Sequence, residues 1–314
     1  MMKIFVAGAT GVLGRGLVRQ FVARGHEVLG LVRDERGRGV VESLGGVGRA
    51  GDLFDAESLA RAAQGAEVFV HAATSIPLKT RPTARDWEMN NRIRRDGTRA
   101  LAASAARVGA KLYLQQSIVW VARPPDGSYF DESSAPQPDD ISRSAYDGEN
   151  IAFEAGERAG FNVSVLRCGW FYGAEAAHTR MFGEGLAKRR IPIIGAGDAV
   201  WPCLHTEDAA RAFVAAAEGN RTGLWHVVDD QPVAVAECLS AFAERLGAPV
   251  PRRVPVWLAR LVAGRHAVNF FVSSTRTSNH KFRRDFGWMP QYPSYREGFD
   301  QIVEAWEAEG FLTR

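Results

Sequence analysis

Short apolar runs alternate along the chain with stretches in which apolar side chains recur every three to four positions. The runs have the length of β-strands and cover residues 4–7, 26–33, 47–50, 67–71 and 111–115. The stretches with helical spacing cover residues 12–23, 56–64 and 86–108. Strands that alternate with helices of this length are typical of a parallel, doubly wound sheet with helices on both faces. The pattern therefore predicts an α/β fold.

A glycine-rich turn joins the first predicted strand to the first predicted helix. Gly8, Gly11 and Gly14 stand there in a G-x-x-G-x-x-G pattern. Glycines at this spacing permit a tight turn, close approach of the backbone to a pyrophosphate and close helix–strand packing. The N–H groups that begin the helix would face the phosphates. The alternative is a turn that merely connects the two elements. Because the turn follows a strand at the N-terminus, where a dinucleotide-binding fold would start, we favour a Rossmann-type dinucleotide site.

The tip of the second predicted strand should select between the two nicotinamide dinucleotides. Arg33 stands there, followed by Asp34, with Arg36 and Arg38 beyond. A carboxylate at this place suits the ribose 2′-hydroxyl of NAD, whereas an arginine suits the 2′-phosphate of NADP. We favour NADP(H), because guanidinium groups bind phosphate through paired hydrogen bonds. A solvated basic loop is the alternative.

Length and charge exclude several classes of protein. A chain of 314 residues can form one large α/β unit or two lobes that share a core. Its 39 basic and 36 acidic side chains give a net charge of +3, and no basic run with interleaved aromatic residues predicts a nucleic-acid partner. No apolar run approaches the roughly 18 residues that span a membrane. With no signal peptide before the first strand, the sequence predicts a cytoplasmic protein without a membrane partner. The three widely spaced cysteines form no C-x-x-C pair, and no metal site is predicted.

Several motifs resemble those of the extended short-chain dehydrogenase/reductase superfamily, which contains sugar-nucleotide epimerases, dehydratases and many ketoreductases. They are the glycine turn, the turns at 51–53 and 72–73, Ser117, and segments 167–173, 204–210 and 278–290. The resemblance implies a Rossmann-type doubly wound parallel sheet and a smaller C-terminal substrate lobe. It also implies one integrated unit, in which residues 1–166 and 202–228 bind NADP and residues 167–201 and 229–314 bind the substrate.

The resemblance further implies a catalytic set that this chain keeps only in part. The family uses a serine, a Tyr-x-x-x-Lys pair and often an asparagine. Ser117 and Tyr146 match this set, whereas Asn150 replaces the lysine and Arg94 replaces the asparagine. The family's lysine lowers the pKa of the phenol and binds the nicotinamide ribose. Without that charge a phenol keeps its ordinary pKa of about 10 and stays protonated at neutral pH.

Loss of the lysine favours the reduction of a ketone over the oxidation of an alcohol. A neutral phenol is a poor base, but it can donate a proton to the alkoxide that forms when a hydride reaches a ketone. We expect Tyr146 to donate this proton, Ser117 to hydrogen-bond to the carbonyl oxygen and Asn150 to hold a ribose hydroxyl. The alternative is that Tyr146 is an ordinary helix residue and Ser117 a strand-end cap.

The motifs also predict which residues contact the two ligands. The predicted cofactor contacts are Gly8, Thr10, Gly11, Val12, Leu13, Gly14, Arg33, Arg36, Asp52, Leu53, Ala72, Ala73, Thr74, Tyr146 and Asn150. The predicted substrate contacts are aromatic or flexible apolar residues, namely Trp120, Trp170, Tyr172, Met181, Trp201, Phe270 and Phe271. Such a wall suits a flat, largely apolar ligand, although a core role is the alternative for each residue singly.

The sequence therefore predicts an NADPH-dependent ketoreductase of the extended or atypical short-chain type. We expect it to act, as a monomer or homodimer, on a bulky apolar or aromatic small molecule such as a natural-product intermediate. Two alternatives stay open. A nucleoside-diphosphate-sugar epimerase or dehydratase should need the missing lysine, whereas a non-catalytic NADP-binding sensor or regulator could tolerate its loss.

Overall fold

The computed structural model describes residues 1–79 and 81–311 and consists of alternating strands and helices over most of that length. The strands are β1 Lys3–Ala7, β2 Glu27–Val32, β3 Val47–Ala50, β4 Val68–His71, β5 Leu112–Ile118, β6 Asn162–Cys168, β7 Trp170–Tyr172, β8 Ile193–Ile194, β9 Val200–Trp201, β10 Cys203–His205, β11 Gly223–Val227, β12 Val233–Ala234 and β13 Arg253–Val254. The helices are α1 Val12–Ala23, α2 Glu35–Ser43, α3 Ala56–Ala62, α4 Ala84–Arg92, α5 Thr98–Val108, α6 Arg143–Ala159, α7 Ala177–Ala187, α8 Thr206–Gly219, α9 Val235–Arg245, α10 Val256–Ala263, α11 Arg265–Val272, α12 His280–Phe286 and α13 Tyr295–Ala308. A π-helical turn, Ile93–Gly97, joins α4 to α5, and a 3₁₀ turn, Val119–Ala122, follows β5.

Seven strands form one parallel sheet in the order β3-β2-β1-β4-β5-β6-β11. The chain runs outward from β1 to β3 and then crosses back, so that β4 lies on the other side of β1. In open α/β sheets, ligands bind at the carboxyl ends of the strands where the order reverses. The order confirms the predicted doubly wound Rossmann-type sheet and places the expected cofactor cleft between β1 and β4.

The sheet is covered on both faces because its strands carry apolar side chains on both sides. Within β1, Ile4 and Val6 pack toward a core that includes residues of α1 and α8. Phe5 and Ala7 point the other way, into a core with residues of α3, α5 and α6. This alternation follows from the two-residue period of a strand.

A separate apolar core forms the smaller C-terminal lobe. Tyr172, Trp201, Phe242, Phe299 and Trp306 meet there, contributed by β7, β9, α9 and α13. The C-terminal segment also contributes to the larger domain, since the α12 residue Phe282 and the nearby Trp288 pack into the core beside α1 and α8. The two cores therefore share one continuous C-terminal segment.

Two helical regions differ from the sequence expectations. The basic stretch after β2 forms α2, because the Asp34 carboxylate caps it by accepting a hydrogen bond from the Gly37 N–H at 2.7 Å. The helix expected over residues 86–108 is interrupted by the π-helical turn. At this turn α6 packs closely, since a Cβ on Gly148 would lie 2.6 Å from the Arg94 carbonyl oxygen. Single π turns are frequent at functional sites.

Candidate active site

The glycine turn between β1 and α1 is held by backbone packing. Gly8 has a φ of +90°, and a Cβ there would lie 2.6 Å from the Ala73 nitrogen. A Cβ on Gly14 would lie 1.9 Å from the Gly8 carbonyl oxygen. Gly11 differs, because a Cβ there would meet only the Gly8 oxygen, at 3.2 Å. The fold itself thus requires Gly8 and Gly14, whereas Gly11 is exposed at the mouth of the cleft.

The beginning of α1 suits an anion. Gly11 is the N-cap residue, so no side chain caps the helix, and the first turn contains no acidic residue. The first N–H groups of a helix lack intrahelical partners and carry the positive end of its dipole. Thr10 and Val12 are half-buried, whereas the Leu13 side chain lies in the core, so Leu13 can offer only its backbone N–H. These features fit the pyrophosphate of a dinucleotide.

We predict that Gly11→Val will weaken NADPH binding at least about tenfold, because the side chain would fill the space of a pyrophosphate. The fold should survive, since the backbone of Gly11, with a φ of −74°, accepts any residue. Titration of NADPH by fluorescence, together with thermal unfolding, measures both effects. Gly14→Ala is the matched control, because its Cβ would collide with the turn itself and lower the melting temperature. NADPH affinity unchanged in Gly11→Val would exclude this turn as the phosphate site.

Two arginines are available beside the end of β2. Within residues 1–79 and 81–311, Arg33 and Arg36 form no ion pair or hydrogen bond through their side chains, and both are exposed. Arg38, in contrast, pairs with Glu35 and donates to the Gly48 carbonyl oxygen at 2.9 Å. The neighbouring Asp34 carboxylate is occupied in capping α2. The arrangement therefore offers two guanidinium groups to a 2′-phosphate.

We predict that Arg33→Ala will weaken NADPH binding by about 1.5–3 kcal/mol, the worth of a charged hydrogen bond, and will barely change NADH binding. Calorimetric titration with both cofactors measures the difference. Arg38→Ala is the matched control and should leave the preference intact, because its guanidinium is already paired. Equal losses for NADPH and NADH would contradict the assignment.

The remaining predicted cofactor contacts lie along the same edge of the sheet. The Asp52 carboxylate accepts a hydrogen bond from the Phe54 N–H at 2.9 Å and so shapes its own turn. Leu53 is half-buried against Gly97. After β4, Ala72 is buried, Ala73 is half-buried and Thr74 is exposed. These small residues leave room for a ligand beside the glycine turn.

Tyr146 and Asn150 lie on one face of α6. They are four residues apart, which places them one above the other on a helix. Tyr146 is half-buried in the first turn, and Asn150 is exposed. The guanidinium of Arg143 lies 6.0 Å from the centre of the Tyr146 ring. The face thus presents a phenol and an uncharged amide where the family has a phenol and an ammonium group.

Ser117 is held by a buried ion pair between Glu149 and Arg167, neither of which is among the predicted site residues. Its hydroxyl donates to Glu149 Oε1 at 2.5 Å, and its side chain is 1% exposed. Arg167 binds the same carboxylate through Nε at 2.9 Å and Nη2 at 2.7 Å. A hydroxyl that donates to Glu149 has no proton left for a carbonyl oxygen. The role predicted for Ser117 would therefore require its release from Glu149.

A second buried cation lies near this pair. Arg94 occupies the position of the family's asparagine and donates from Nη1 to the Ile141 carbonyl oxygen at 3.4 Å. Burial lowers the pKa of Arg94 to about 10, and the nearby charge of Glu149 acts in the opposite direction. The interior beside α6 thus contains two cations and one anion. The available sequence signal was the place of Glu149 in a helical stripe with Ala145, Ala152 and Gly156, whose spacing is that of the buried side of α6.

The predicted substrate residues, apart from Met181, form one contiguous aromatic cluster. Ring centres lie 6.0 Å apart for Trp120 and Phe270, 5.1 Å for Phe270 and Trp201, and 4.7 Å for Trp201 and Trp170. Phe271 is 5.4 Å from Trp201. The cluster begins in the 3₁₀ turn after β5, so it connects the end of that strand with the smaller lobe.

The members of this cluster differ in accessibility. Trp120, Trp170, Phe270 and Phe271 are half-buried. Trp201 and Tyr172 are fully buried, and their polar atoms donate to backbone carbonyl groups of Phe270 and Ser294. Trp201 and Tyr172 therefore have a core role, which was the alternative to contact with a substrate. Met181 lies outside the cluster, exposed on α7.

The part of the chain that the structure describes contains no helix long and apolar enough to cross a membrane. In the same residues, no three His, Cys, Asp or Glu side chains are grouped as a metal site would require.

Comparison with known proteins agrees with this geometry. The family model described as the NAD dependent epimerase/dehydratase family matches residues 4–227. The chain is 34% identical over 313 residues to the 3-diazoavenalumate denitrifying reductase of Streptomyces sp., covering 95% of this chain and 99% of that protein. It is 25% identical to the 4-hydroxy-2-methyl-3-oxo-4-farnesyl-3,4-dihydroquinoline-1-oxide ketoreductase of Stigmatella aurantiaca, covering 97% and 96% of the two chains.

Two solved structures share the fold. The human epimerase family protein SDR39U1 (isoform 2) with NADPH has a TM-score of 0.81 at 21% identity, covering 96% of this chain and 99% of that one. The dTDP-glucose 4,6-dehydratase DesIV of Streptomyces venezuelae, with NAD and TYD bound, has a TM-score of 0.81 at 23% identity, covering 99% and 98%. The chain therefore belongs to the NAD-dependent epimerase/dehydratase family of extended short-chain dehydrogenases/reductases, as an NAD(P)-dependent oxidoreductase.

Proposed function

We propose that the protein is an NADPH-dependent ketoreductase that acts on a bulky, apolar or aromatic small molecule. The observation that carries the proposal is the pair on α6, where the Tyr146 phenol stands beside the uncharged Asn150. A phenol without a neighbouring ammonium group can donate a proton but is a poor base. It therefore suits a reaction in which the substrate gains a proton better than one in which the substrate loses a proton. Carbonyl reduction consumes a proton, whereas epimerisation has to move protons or hydride in both directions.

Different residues bind the cofactor, donate the proton and position the proton donor. NADPH, when bound, supplies the hydride. The N-terminus of α1 holds the pyrophosphate, and Arg33 and Arg36 hold the 2′-phosphate. Tyr146 donates the proton to the developing alkoxide, and Asn150 holds a ribose hydroxyl of the nicotinamide half. The ion pair between Glu149 of α6 and Arg167 of β6 fixes the helix against the strand. It thereby positions Tyr146, which precedes Glu149 on the same helix.

The half-buried aromatic side chains support an apolar substrate. Trp120, Trp170, Phe270 and Phe271 offer ring surfaces near the end of β5, and such surfaces hold flat apolar ligands with few polar contacts. The relative from Stigmatella aurantiaca is named as the ketoreductase of a farnesyl-bearing dihydroquinoline. A substrate of comparable bulk suits this cluster.

A series of ketones of increasing apolar size tests the proposal. Oxidation of NADPH is followed by its absorbance with small aliphatic ketones, aryl ketones and polycyclic ketones, and a sugar nucleotide is included for comparison. We expect the ratio kcat/KM to rise with apolar size and the sugar nucleotide to be inert. Conversion of the sugar nucleotide would favour an epimerase or dehydratase, and tight NADPH binding without any turnover would favour a sensor.

A second candidate is the reductive removal of a diazo group. The missing lysine favours it, since replacement of an aryl diazonium group by hydrogen needs a hydride and releases dinitrogen, so no protein group has to donate a proton. The relative with 34% identity is named for a denitrifying reduction. This activity should persist when Tyr146 is replaced by Phe, whereas carbonyl reduction should not, and that contrast separates the two candidates.

A further inference from the structure

Helix α10 presents four large apolar side chains to solvent and the small Ala259 to the protein. Trp257, Leu258, Leu261 and Val262 are 64%, 39%, 65% and 65% exposed. Ala259 is only 8% exposed and packs with Ile194 and Val268. At 3.6 residues per turn, the four exposed side chains cover an arc of about 140° on one side of the helix. We call these four side chains the α10 face.

The surroundings of the α10 face are strongly basic. From residue 245 to residue 284 the sequence contains nine Lys or Arg residues and no Asp or Glu, and three of the nine form ion pairs with carboxylates outside this range. Arg252 and Arg253 precede α10, Arg260 lies within it and Arg265 follows it, all four exposed. Within residues 1–79 and 81–311, Arg252, Arg260 and Arg265 form no ion pair, so these three exposed guanidinium groups leave uncompensated positive charge beside the apolar surface.

The α10 face also lies near the segment that follows β4. Arg81 Nε would be 3.7 Å from a Cβ on Gly264, the residue that ends α10. This segment begins at the carboxyl end of β4, where the cofactor cleft opens, and carries the exposed side chains of Ile76 and Leu78. An apolar, basic surface thus adjoins the loops of the cleft.

We propose that the α10 face binds reversibly to the surface of an anionic lipid bilayer. An exposed tryptophan among aliphatic side chains, flanked by arginines, is the composition of helices that lie in a membrane interface. The apolar side chains would enter the boundary between head groups and acyl chains, and the arginines would contact anionic head groups. This binding is peripheral and needs no membrane-spanning segment, so it replaces the expectation of no membrane partner, which rested on the absence of a long apolar run. It does not depend on the proposed substrate.

Self-association is a weaker account of the same surface. A two-fold contact brings each surface patch against its own copy. Arginines would then face arginines, with no acidic side chain in the segment to compensate them. An anionic bilayer instead supplies negatively charged head groups, and it accommodates protruding side chains without a preformed cavity.

Flotation of the full chain with lipid vesicles tests the proposal. We expect the protein to float with vesicles of phosphatidylcholine mixed with phosphatidylglycerol, to float poorly with phosphatidylcholine alone, and to be released at about 1 M salt, where charges are screened within about 3 Å. The double variant Trp257→Ser/Leu261→Ser should lower the bound fraction at least about tenfold. Arg260→Gln/Arg265→Gln should lower it about tenfold as well.

Two control variants outside α10 test whether the loss of vesicle binding is specific to the α10 face. Met289→Ser removes an apolar side chain of similar exposure outside α10, and Arg158→Gln removes an exposed arginine of α6. Both should float like the wild type, and melting temperatures should stay within a few degrees for every variant. Equal binding to both kinds of vesicle, no binding to either, or unchanged binding of Trp257→Ser/Leu261→Ser would overturn the proposal. A dimer that this variant dissociates, without vesicle binding, would assign the face to a second copy.

Discussion

Tyr146→Phe is expected to slow carbonyl reduction by about 10²–10⁴-fold, the usual worth of a positioned acid. The change removes one oxygen from a half-buried side chain at the start of α6 and leaves the ring in place. NADPH affinity should stay within about threefold, because the phosphate and ribose contacts come mainly from other residues. Single-turnover rates with saturating NADPH and an aryl ketone separate this loss from any change in binding.

Tyr295→Phe is the matched control for this experiment. It also removes a phenol oxygen, one that donates to Glu237 in the smaller lobe at 2.6 Å, and it should leave the rate near that of the wild type. If Tyr146→Phe reduces ketones within about threefold of the wild-type rate, the proton comes from another donor. A water molecule or a substrate hydroxyl would then be the first candidate, and Ser117 would qualify only if it were released from Glu149.

Removing one partner of the Glu149–Arg167 pair should destabilise the fold by about 3–5 kcal/mol, because the remaining charge stays buried without compensation. Both side chains are 2% exposed, so solvent cannot replace the lost partner. Arg167→Met leaves the carboxylate with the Ser117 hydroxyl as its nearest donor. Glu149→Gln leaves the guanidinium with a single amide oxygen. Urea denaturation of each variant gives the free energy of unfolding.

The double variant Glu149→Met/Arg167→Met distinguishes a buried charge from lost packing. Apolar side chains of similar size often replace a buried ion pair at little cost. The double variant should therefore recover much of the stability that each single variant loses. Single variants within about 1 kcal/mol of the wild type would show that the pair does not hold α6 against β6.

The parallel sheet could be predicted because its signals are local. A strand, a glycine turn and a helix follow one another within residues 3–23, and the observed α1 has the predicted bounds. The α2 helix was missed, since it begins in a glycine-rich and charged stretch and depends on the Asp34 cap. The π turn was also missed. It packs closely against α6 at Gly148, and such a tertiary contact has no local sequence pattern.

The geometry of the glycine turn could be expected from a local motif, whereas the surroundings of the side chains proposed for catalysis and substrate binding could not. Motif positions fix which backbone groups approach a dinucleotide, whereas the environment of a side chain depends on contacts between distant segments. Ser117 and Glu149 are 32 residues apart, and the hydrogen bond between them could not be read from either motif. Likewise, an aromatic residue in a pocket segment, such as Trp201, has the same sequence signal whether it faces a ligand or the core.

Transfer of deuterium from NADPH labelled at both hydrogen positions of the nicotinamide C4 tests the central proposal most directly. The protein is incubated with the labelled cofactor and bulky aryl ketones, and the products are examined by mass spectrometry. Our account predicts an alcohol with deuterium on the carbinol carbon, formed in equal amount with NADP⁺, and no such transfer to the carbon atoms of a sugar nucleotide. Labelled NADPH that stays bound and unoxidised with every ketone would contradict it.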